Sequence, residues 1–305
     1  MNAEKFFTNR YGVVAAAVAA TFLWGSAFPF IKLSYSALDI HSEETAEQIL
    51  FAGYRFFIAS LMILVFFRLL KRDMKIKQGT VVPLIKLGAL QTFFQYILFY
   101  IGLSYSTGIQ GSIIAGSTSF FQILFAHFLY KDDALSIRKG IGLIIGFTGV
   151  ILVNLTKGSL ELKFGIGELF LMGAMMISAF GNIYARDLSR HMPVPYLTAY
   201  QMLFGSIALL AASITSAGVF PFDFNVKSGM ILIYLAFLSA AGFVIWNNVM
   251  KFNKVGKVSM YLFLVPVFGV FLSALLLGEA LHAFVLLGLV LVALGIVIVN
   301  RQPSV

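Results

Sequence analysis

Ten stretches of apolar residues, separated by short polar connections, make up almost the whole chain. They run over about 11–33, 48–69, 83–103, 110–130, 138–155, 166–185, 196–217, 228–249, 258–277 and 282–300. Crossing about 30 Å of hydrocarbon takes roughly 20 helical residues at about 1.5 Å each, and every stretch is near that length. No water inside a bilayer can satisfy an exposed peptide group, so each stretch is predicted to be a helix. The first follows a polar start, Met1 to Arg10, and is longer than a signal-peptide core, so it is expected to stay attached as the first helix. An all-α membrane protein of ten transmembrane helices follows.

Composition agrees. Sixty percent of residues are hydrophobic and 11% charged, and the mean hydropathy is +0.92, beyond what a water-soluble domain can bury. The charges then give an orientation. Of the 22 basic residues, Lys32, Lys157, Lys163 and Lys227 fall opposite the N-terminal side and Arg55 falls inside a span; the rest, from Lys5 and Arg10 to Arg301, share one side. Such a skew is what positive-inside insertion produces when the spans number an even ten, with both termini cytosolic and the chain multi-pass in the cytoplasmic membrane. The net charge of +9 is thus topology, without a folded basic module for nucleic acid. The expected partners are membrane lipid and a small molecule. The absence of cysteine rules out disulfides and thiolate metal sites.

The chain also resembles itself at a spacing of 146 residues. Tyr54 falls on Tyr200, Ser60 on Ser206, Asp133-Ala134-Leu135 on Glu279-Ala280-Leu281, Gly142 on Gly288, Gly149 on Gly295 and Val153-Asn154 on Val299-Asn300. Residues 1–155 and 156–305 each then hold five spans. Because five is odd, the second unit must enter the membrane upside down relative to the first. Inverted repeats place a substrate near the midplane between the halves and alternate access by rocking one half against the other.

At these residues the sequence resembles the EamA-type branch of the drug/metabolite transporter superfamily. Trp24-Gly25-Ser26-Ala27-Phe28 with Lys32 is similar to the family's Trp-Gly opening, and Tyr54-Arg55-Phe56 to its Arg-Phe motif. Pro266 through Gly278-Glu279, followed by Gly288 and Gly295, is similar to its Pro-containing helix, Gly-Glu turn and glycine-punctuated last helix. The chain departs from the pattern at Phe120, where the second repeat has Pro266, at Lys131-Asp132-Asp133, and at Ser178-Ala179-Phe180, where a tryptophan is common. The resemblance implies a ten-helix carrier of small metabolites, frequently an exporter of amino acids or related compounds.

Arg55 is the one full charge placed well within a span. An isolated guanidinium at that depth costs roughly 2.5–3.5 kcal/mol on insertion scales, so it must face protein, water or a partner. It is either a clamp for a substrate carboxylate or a staple on neighbouring carbonyls. Gln201 stands at the equivalent place in the second half and can only staple. The acids all sit in loops or at span ends, so none is a midplane proton carrier; Glu168 is expected to complement a helix dipole, and Asp133 and Glu279 to pair with cations or cap the helix that follows. Gln91 and Gln95 share one face of the third span. With Trp24, Ser119, Gln122, Asn182, Trp246, Asn247 and Tyr261 they form the candidate substrate-binding set, serving either as interhelical glue or as cavity walls. Pro29 and Pro266 each remove a helix hydrogen bond and are candidate hinges or static kinks. Gly142 and Gly146 offer a small-residue face for close packing or for a homodimer seam.

The leading expectation is a secondary transporter that exports a small neutral or zwitterionic metabolite, an amino acid or related compound, with no cofactor and no metal. A cationic nucleoside metabolite or a lipophilic drug is the alternative cargo. A channel or lipid scramblase is the alternative class, separated by countertransport. An enzyme is not expected: no His-Glu-x-x-His or Gly-x-Ser-x-Gly occurs, and His41, His127, His191 and His282 are scattered.

Overall fold

The computed structural model describes residues 3–154, 165–281 and 283–300. Lys157, Lys163, His282 and Arg301, weighed above, lie outside them. In chain order the long helices are α1 (Arg10–Leu38), α2 (Thr45–Leu69), α3 (Val81–Ser104), α4 (Gly108–Leu129), α5 (Ile137–Asn154), α6 (Ile166–Leu188), α7 (Val194–Ala217), α8 (Val226–Phe252), α9 (Val255–Leu277) and α10 (Ala283–Asn300). Among the described residues, eight of them, α1 to α4 and α6 to α9, are long and apolar enough to cross a membrane. Each coincides with one apolar stretch of the sequence. A short helix, Ala3–Thr8, precedes them.

The starts are fixed by polar side chains, as helix N-termini require. Asn9 Oδ1 accepts from Tyr11 and Gly12 N–H at the head of α1. Thr107 and Gln110 form a reciprocal capping box on α4, and Asn225 with Ser228 does the same on α8. Glu168 Oε2 accepts from Gly165 N–H at 2.9 Å, closing the first turn of α6. The surface is apolar where lipid would lie, with Val65, Phe66, Ile144, Phe237 and Leu275 exposed, while serines, glutamines and Arg55 are buried.

Packing is mostly between the two halves of the chain. α1 lies against α8 and α9, and α6 lies against α3 and α4; α2 pairs with α7, α4 with α9, and α5 with α10. Each of these contacts maps onto itself or onto another when the halves are exchanged. The glycines considered above for a dimer seam are used inside the chain. A Cβ built on Gly295 of α10 would come within 2.6 Å of the Gly142 carbonyl and 3.1 Å of the Gly146 amide. Gly142 and Gly146 therefore seat α10, and they give no argument for a homodimer.

Asp133 and Glu279 also act across the halves. Both oxygens of Glu279, which follows α9, accept from the Gly108 and Ile109 amides at the start of α4, each at 2.8 Å. Asp133, which follows α4, accepts from the Gly256 amide at the start of α9 at 2.7 Å and from Lys139 Nζ at 2.7 Å. Neither carboxylate caps the helix that follows it; each caps the other's helix. An acid placed on the unpaired amides of a first turn gains both hydrogen bonds and the helix dipole. The two caps lie at opposite ends of the antiparallel α4–α9 pair.

Beside the basic end of the bundle, Tyr130 closes α4. Its hydroxyl donates to Asp187 Oδ1 at 2.7 Å, and the Arg186 guanidinium carbon lies 4.6 Å from its ring. Burial, with the bond to Asp187 in support, pushes its phenol up to about 12.

Candidate functional site

Two irregular turns shape the middle of the molecule. In α3 the segment Ala89–Phe94 is a π-helical turn, and it leads directly into Gln95–Ser104. Such an expanded turn rotates the following residues relative to the preceding ones. In α9 the segment Ser259–Phe263 is a 3₁₀ turn that precedes Leu264–Leu277, and Pro266 sits in the first turn of that helix. Proline has no N–H to give to the carbonyl four residues earlier, which accounts for the local tightening. α1 runs through Pro29 as one unbroken helical segment.

Between these elements lies a cavity of about 70 Å³, lined by Trp24 and Phe28 of α1, Arg55 of α2, Gln95, Tyr96 and Phe99 of α3, Thr118 of α4, Ser178 and Asn182 of α6, and Phe243 of α8. That volume holds several waters. A metabolite-sized solute requires the walls to part. The structure brings Trp24, Arg55, Gln95 and Asn182 of the sequence-derived set to this one wall.

Arg55 is 1% exposed. Its Nε donates to Leu235 O at 3.1 Å and to Ser239 Oγ at 2.7 Å, and its Nη1 donates to Tyr100 Oη at 3.0 Å. The guanidinium carbon lies 4.9 Å from the Phe56 ring and 5.6 Å from the Tyr96 ring. These bonds tie α2 to α8 and α3, so Arg55 is a staple. They engage Nε and Nη1 but not Nη2, and no carboxylate among the described residues forms an ion pair with the group. Gln201, its counterpart in α7, accepts from Thr92 Oγ1 at 2.8 Å and staples α7 to α3.

Beside Arg55, Gln95 is buried and its Oε1 has no hydrogen-bond partner among the described residues. Behind the wall runs a chain of amides. Gln91 Nε2 donates to Asn182 Oδ1 at 2.7 Å, Asn182 Nδ2 to Gln122 Oε1 at 2.9 Å, and Gln122 Nε2 to Ser259 Oγ at 2.6 Å. Ser259 in turn donates to Val255 O at 2.6 Å. This chain links α3, α6, α4 and α9, and it uses Gln91 and Gln122 to position Asn182.

The other expected residues stand elsewhere. Trp246 backs the site, with its ring 5.7 Å from that of Trp24. Ser119 turns to the sulfur of Met260, 3.9 Å away. Asn247 donates to Thr198 Oγ1 at 3.0 Å in the α7–α8 contact. Tyr261 packs with a lower apolar cluster around Val249 and Val258. The candidate set does not include Phe28, Tyr96, Phe99, Thr118, Ser178 and Phe243 on the cavity wall, of which Phe28 and Ser178 stand out in the sequence only as motif positions, nor Tyr100 and Ser239 on Arg55. Phe28 and Phe99 follow Trp24 and Gln95 by four residues, one helical turn, and that spacing could have found them.

The EamA-like transporter family model matches the chain twice, over residues 11–155 and 165–301. The chain belongs to the EamA-like transporter family. It is therefore a multi-pass membrane transporter of the drug/metabolite type. Similar proteins include the uncharacterized transporter YvbV of Bacillus subtilis, 27% identical over 92% of this chain and 89% of that protein. The S-adenosylmethionine/S-adenosylhomocysteine transporter of Chlamydia muridarum is 23% identical over 90% of this chain and 87% of its own. A solved crystal structure at 16% identity superposes with a TM-score of 0.74, covering 95% of this chain and 96% of that one, and shares the fold.

Proposed function

We propose that this family member is a secondary active transporter of ten spans in two inverted five-helix units, residues 1–155 and 156–305. Its termini face the cytosol, and it exports a small zwitterionic metabolite, an amino acid or a related compound, across the cytoplasmic membrane. What supports the architecture is the exchange pattern of the contacts, together with a family match that falls once on each half. What supports the cargo is one observation, the buried Arg55 guanidinium that lines a cavity with no carboxylate among the described residues paired to it. A substrate carboxylate on Nη2 supplies the missing anion, with the planar geometry that the fork prefers. Gln95 Oε1 then accepts from the substrate's ammonium, which the faces of Tyr96, Phe99 and Trp24 also favour. Neutral amides do the remaining positioning, so an apolar or aromatic side chain suits the site better than a polyanion. Trp24, Arg55, Gln95 and Asn182 contact the substrate. Gln91, Gln122 and Trp246 hold them in place, and Pro266 marks the bend about which α9 moves.

The reading is tested in proteoliposomes loaded with labelled amino acids, nucleosides or sugars and challenged with each class outside. Accelerated exchange with amino acids alone is the expected result. Flux without countertransport points to a channel or scramblase instead. A second cargo, a nucleoside-bearing metabolite, is favoured by the named substrates of the Chlamydia muridarum relative, and exchange restricted to nucleoside derivatives would select it.

A further inference from the structure

Away from the cavity, exposed apolar residues of α2 and α8 line a groove of about 740 Å³. Leu61, Val65 and Leu69 form one wall and Phe237, Ala241 and Val244 the other, with no charged side chain among its lining residues. Its position along the membrane follows from Arg55. The bonds of that side chain to Leu235 and Ser239 set α2 and α8 in register, and Arg55 lies near the middle of the 25-residue α2. The groove therefore begins just past midspan and runs toward the C-terminal ends of both helices. Thirteen residues beyond Arg55, about 20 Å at about 1.5 Å each, stands Arg68; twelve beyond Ser239, about 18 Å, stands Lys251. Half of a typical hydrocarbon core is about 15 Å, so both cations come at the headgroup level of one leaflet.

Helical spacing puts them on the groove's own stripes. Arg68 is seven residues after Leu61 and three after Val65, and Lys251 is seven after Val244. Lys71 and Arg72 follow directly after α2, exposed, while the segment's acid, Asp73, is turned to Lys77 at 3.7 Å.

We propose that this groove is a binding site for an anionic phospholipid, with one acyl chain lying between α2 and α8 and the phosphate held by Arg68, Lys71 and Arg72, with Lys251 across the mouth. Its length matches one leaflet, its walls are apolar, and its open end is basic. Basic side chains at a membrane surface favour anionic headgroups in proportion to their number.

The experiment uses the full chain, delipidated in a neutral detergent and titrated with phosphatidylglycerol or phosphatidylcholine by native mass spectrometry. One phosphatidylglycerol per chain is expected to bind at least tenfold more tightly than phosphatidylcholine. Changing Arg68, Lys71 and Arg72 together to Gln weakens that adduct on the order of 100-fold. Ala241→Phe, which fills the groove and leaves the cations intact, removes it. Unchanged melting of both variants in lipid-free detergent shows that they fold. Equal binding of the two lipids, or an adduct indifferent to either variant, overturns the proposal. So does a dimer of the wild-type chain that Ala241→Phe dissociates, which would make this face an interface between copies.

Discussion

Arg55→Gln separates the staple seen at this side chain from the carboxylate clamp proposed for it. Three hydrogen bonds from a charged donor contribute about 1.5–3 kcal/mol each, to Leu235 O, Ser239 Oγ and Tyr100 Oη. Against them stands the cost of keeping a cation at that depth, about 3 kcal/mol on insertion scales. Glutamine is long enough to remake one neutral bond, worth about 1 kcal/mol. At the low end of these values the net destabilisation is about 0.5 kcal/mol, on the order of a degree or two of melting temperature. Binding is hit harder. Removing one partner of a buried, hydrogen-bonded charge pair costs about 2–5 kcal/mol, at least about 30-fold in affinity. The assay pairs melting in detergent with equilibrium binding of whichever labelled amino acid exchanges best in the liposome screen. Arg55→Lys keeps the charge without the fork and is expected to bind weakly but measurably. An affinity within threefold of wild type, alongside a lowered melting temperature, would refute the carboxylate assignment and leave Arg55 a staple only.

Other outcomes follow from the same contacts. Gln95→Met removes an amide whose oxygen has no partner among the described residues, so melting should hold or rise by about 1 kcal/mol equivalent while exchange falls at least tenfold. Gln122→Met should instead lower melting, costing about 1–3 kcal/mol because Asn182 and Ser259 lose their shared partner, and exchange should fall with it as Asn182 loses its support. Glu279→Gln weakens the cap on Gly108 and Ile109 by about 1–2 kcal/mol, and Asp133→Asn costs more because it also parts from Lys139. Since the chain has no cysteine, a single Ser178→Cys reports cavity access cleanly. Glu279→Gln should speed its labelling by an impermeant maleimide from one side of the vesicle and Asp133→Asn from the other. Tyr130 holds its proton more tightly folded than unfolded, at about 12 against an ordinary 10. Its share of stability is intact below about pH 10 and is lost as pH rises through about 12. Melting scans from pH 9 to 12 should therefore show a steeper loss in the wild type than in Tyr130→Phe.

The spans were legible because hydropathy acts over twenty residues at once. The clearest error in their ends is informative. The first apolar stretch stops at 33, yet α1 continues to Leu38, because Lys32, Ser34 and Tyr35 find partners inside the bundle. Lys32 donates to Ser104 O at 3.3 Å, Ser34 to Ile31 O at 2.7 Å, and Tyr35 to Tyr100 O at 3.2 Å. Polarity alone ends a predicted span; a backbone acceptor within reach does not. The site was legible at its polar residues, since Arg55, Gln95 and Asn182 are rare types at midspan. Its rings were not, because nothing in a chain with 32 phenylalanines marks Phe28, Phe99 or Phe243 off from those facing lipid. The π-helical turn at Ala89–Phe94 has no composition that announces it. Asp133 and Glu279 stood out as a repeated pair, but their amide partners, Gly256 and Gly108, lie more than a hundred residues away in sequence.

Those two caps bear on how the proposed carrier would turn over. They sit at opposite ends of α4 and α9, the helices that carry Thr118 at the cavity and Pro266 beside it. Opening the cavity toward one end means drawing the start of one of these helices away from the acid that closes it, while the cap at the other end persists. Each cap contributes about 1–2 kcal/mol, which leaves the opened form a minor population of several percent, within reach of a ligand's differential affinity. A much stronger latch, such as a fully buried ion pair, would hold one form too firmly for a single substrate carboxylate to shift. The buried, unneutralised Arg55 completes the balance from the inside. Without substrate its charge has no counter-ion among the described residues, and with substrate bound the guanidinium is paired with a carboxylate while Gln95 and the ring faces take up the substrate's ammonium. The energy gained at the cavity wall is then of the same order as the energy holding either end shut, which is the condition for a carrier that moves only when loaded.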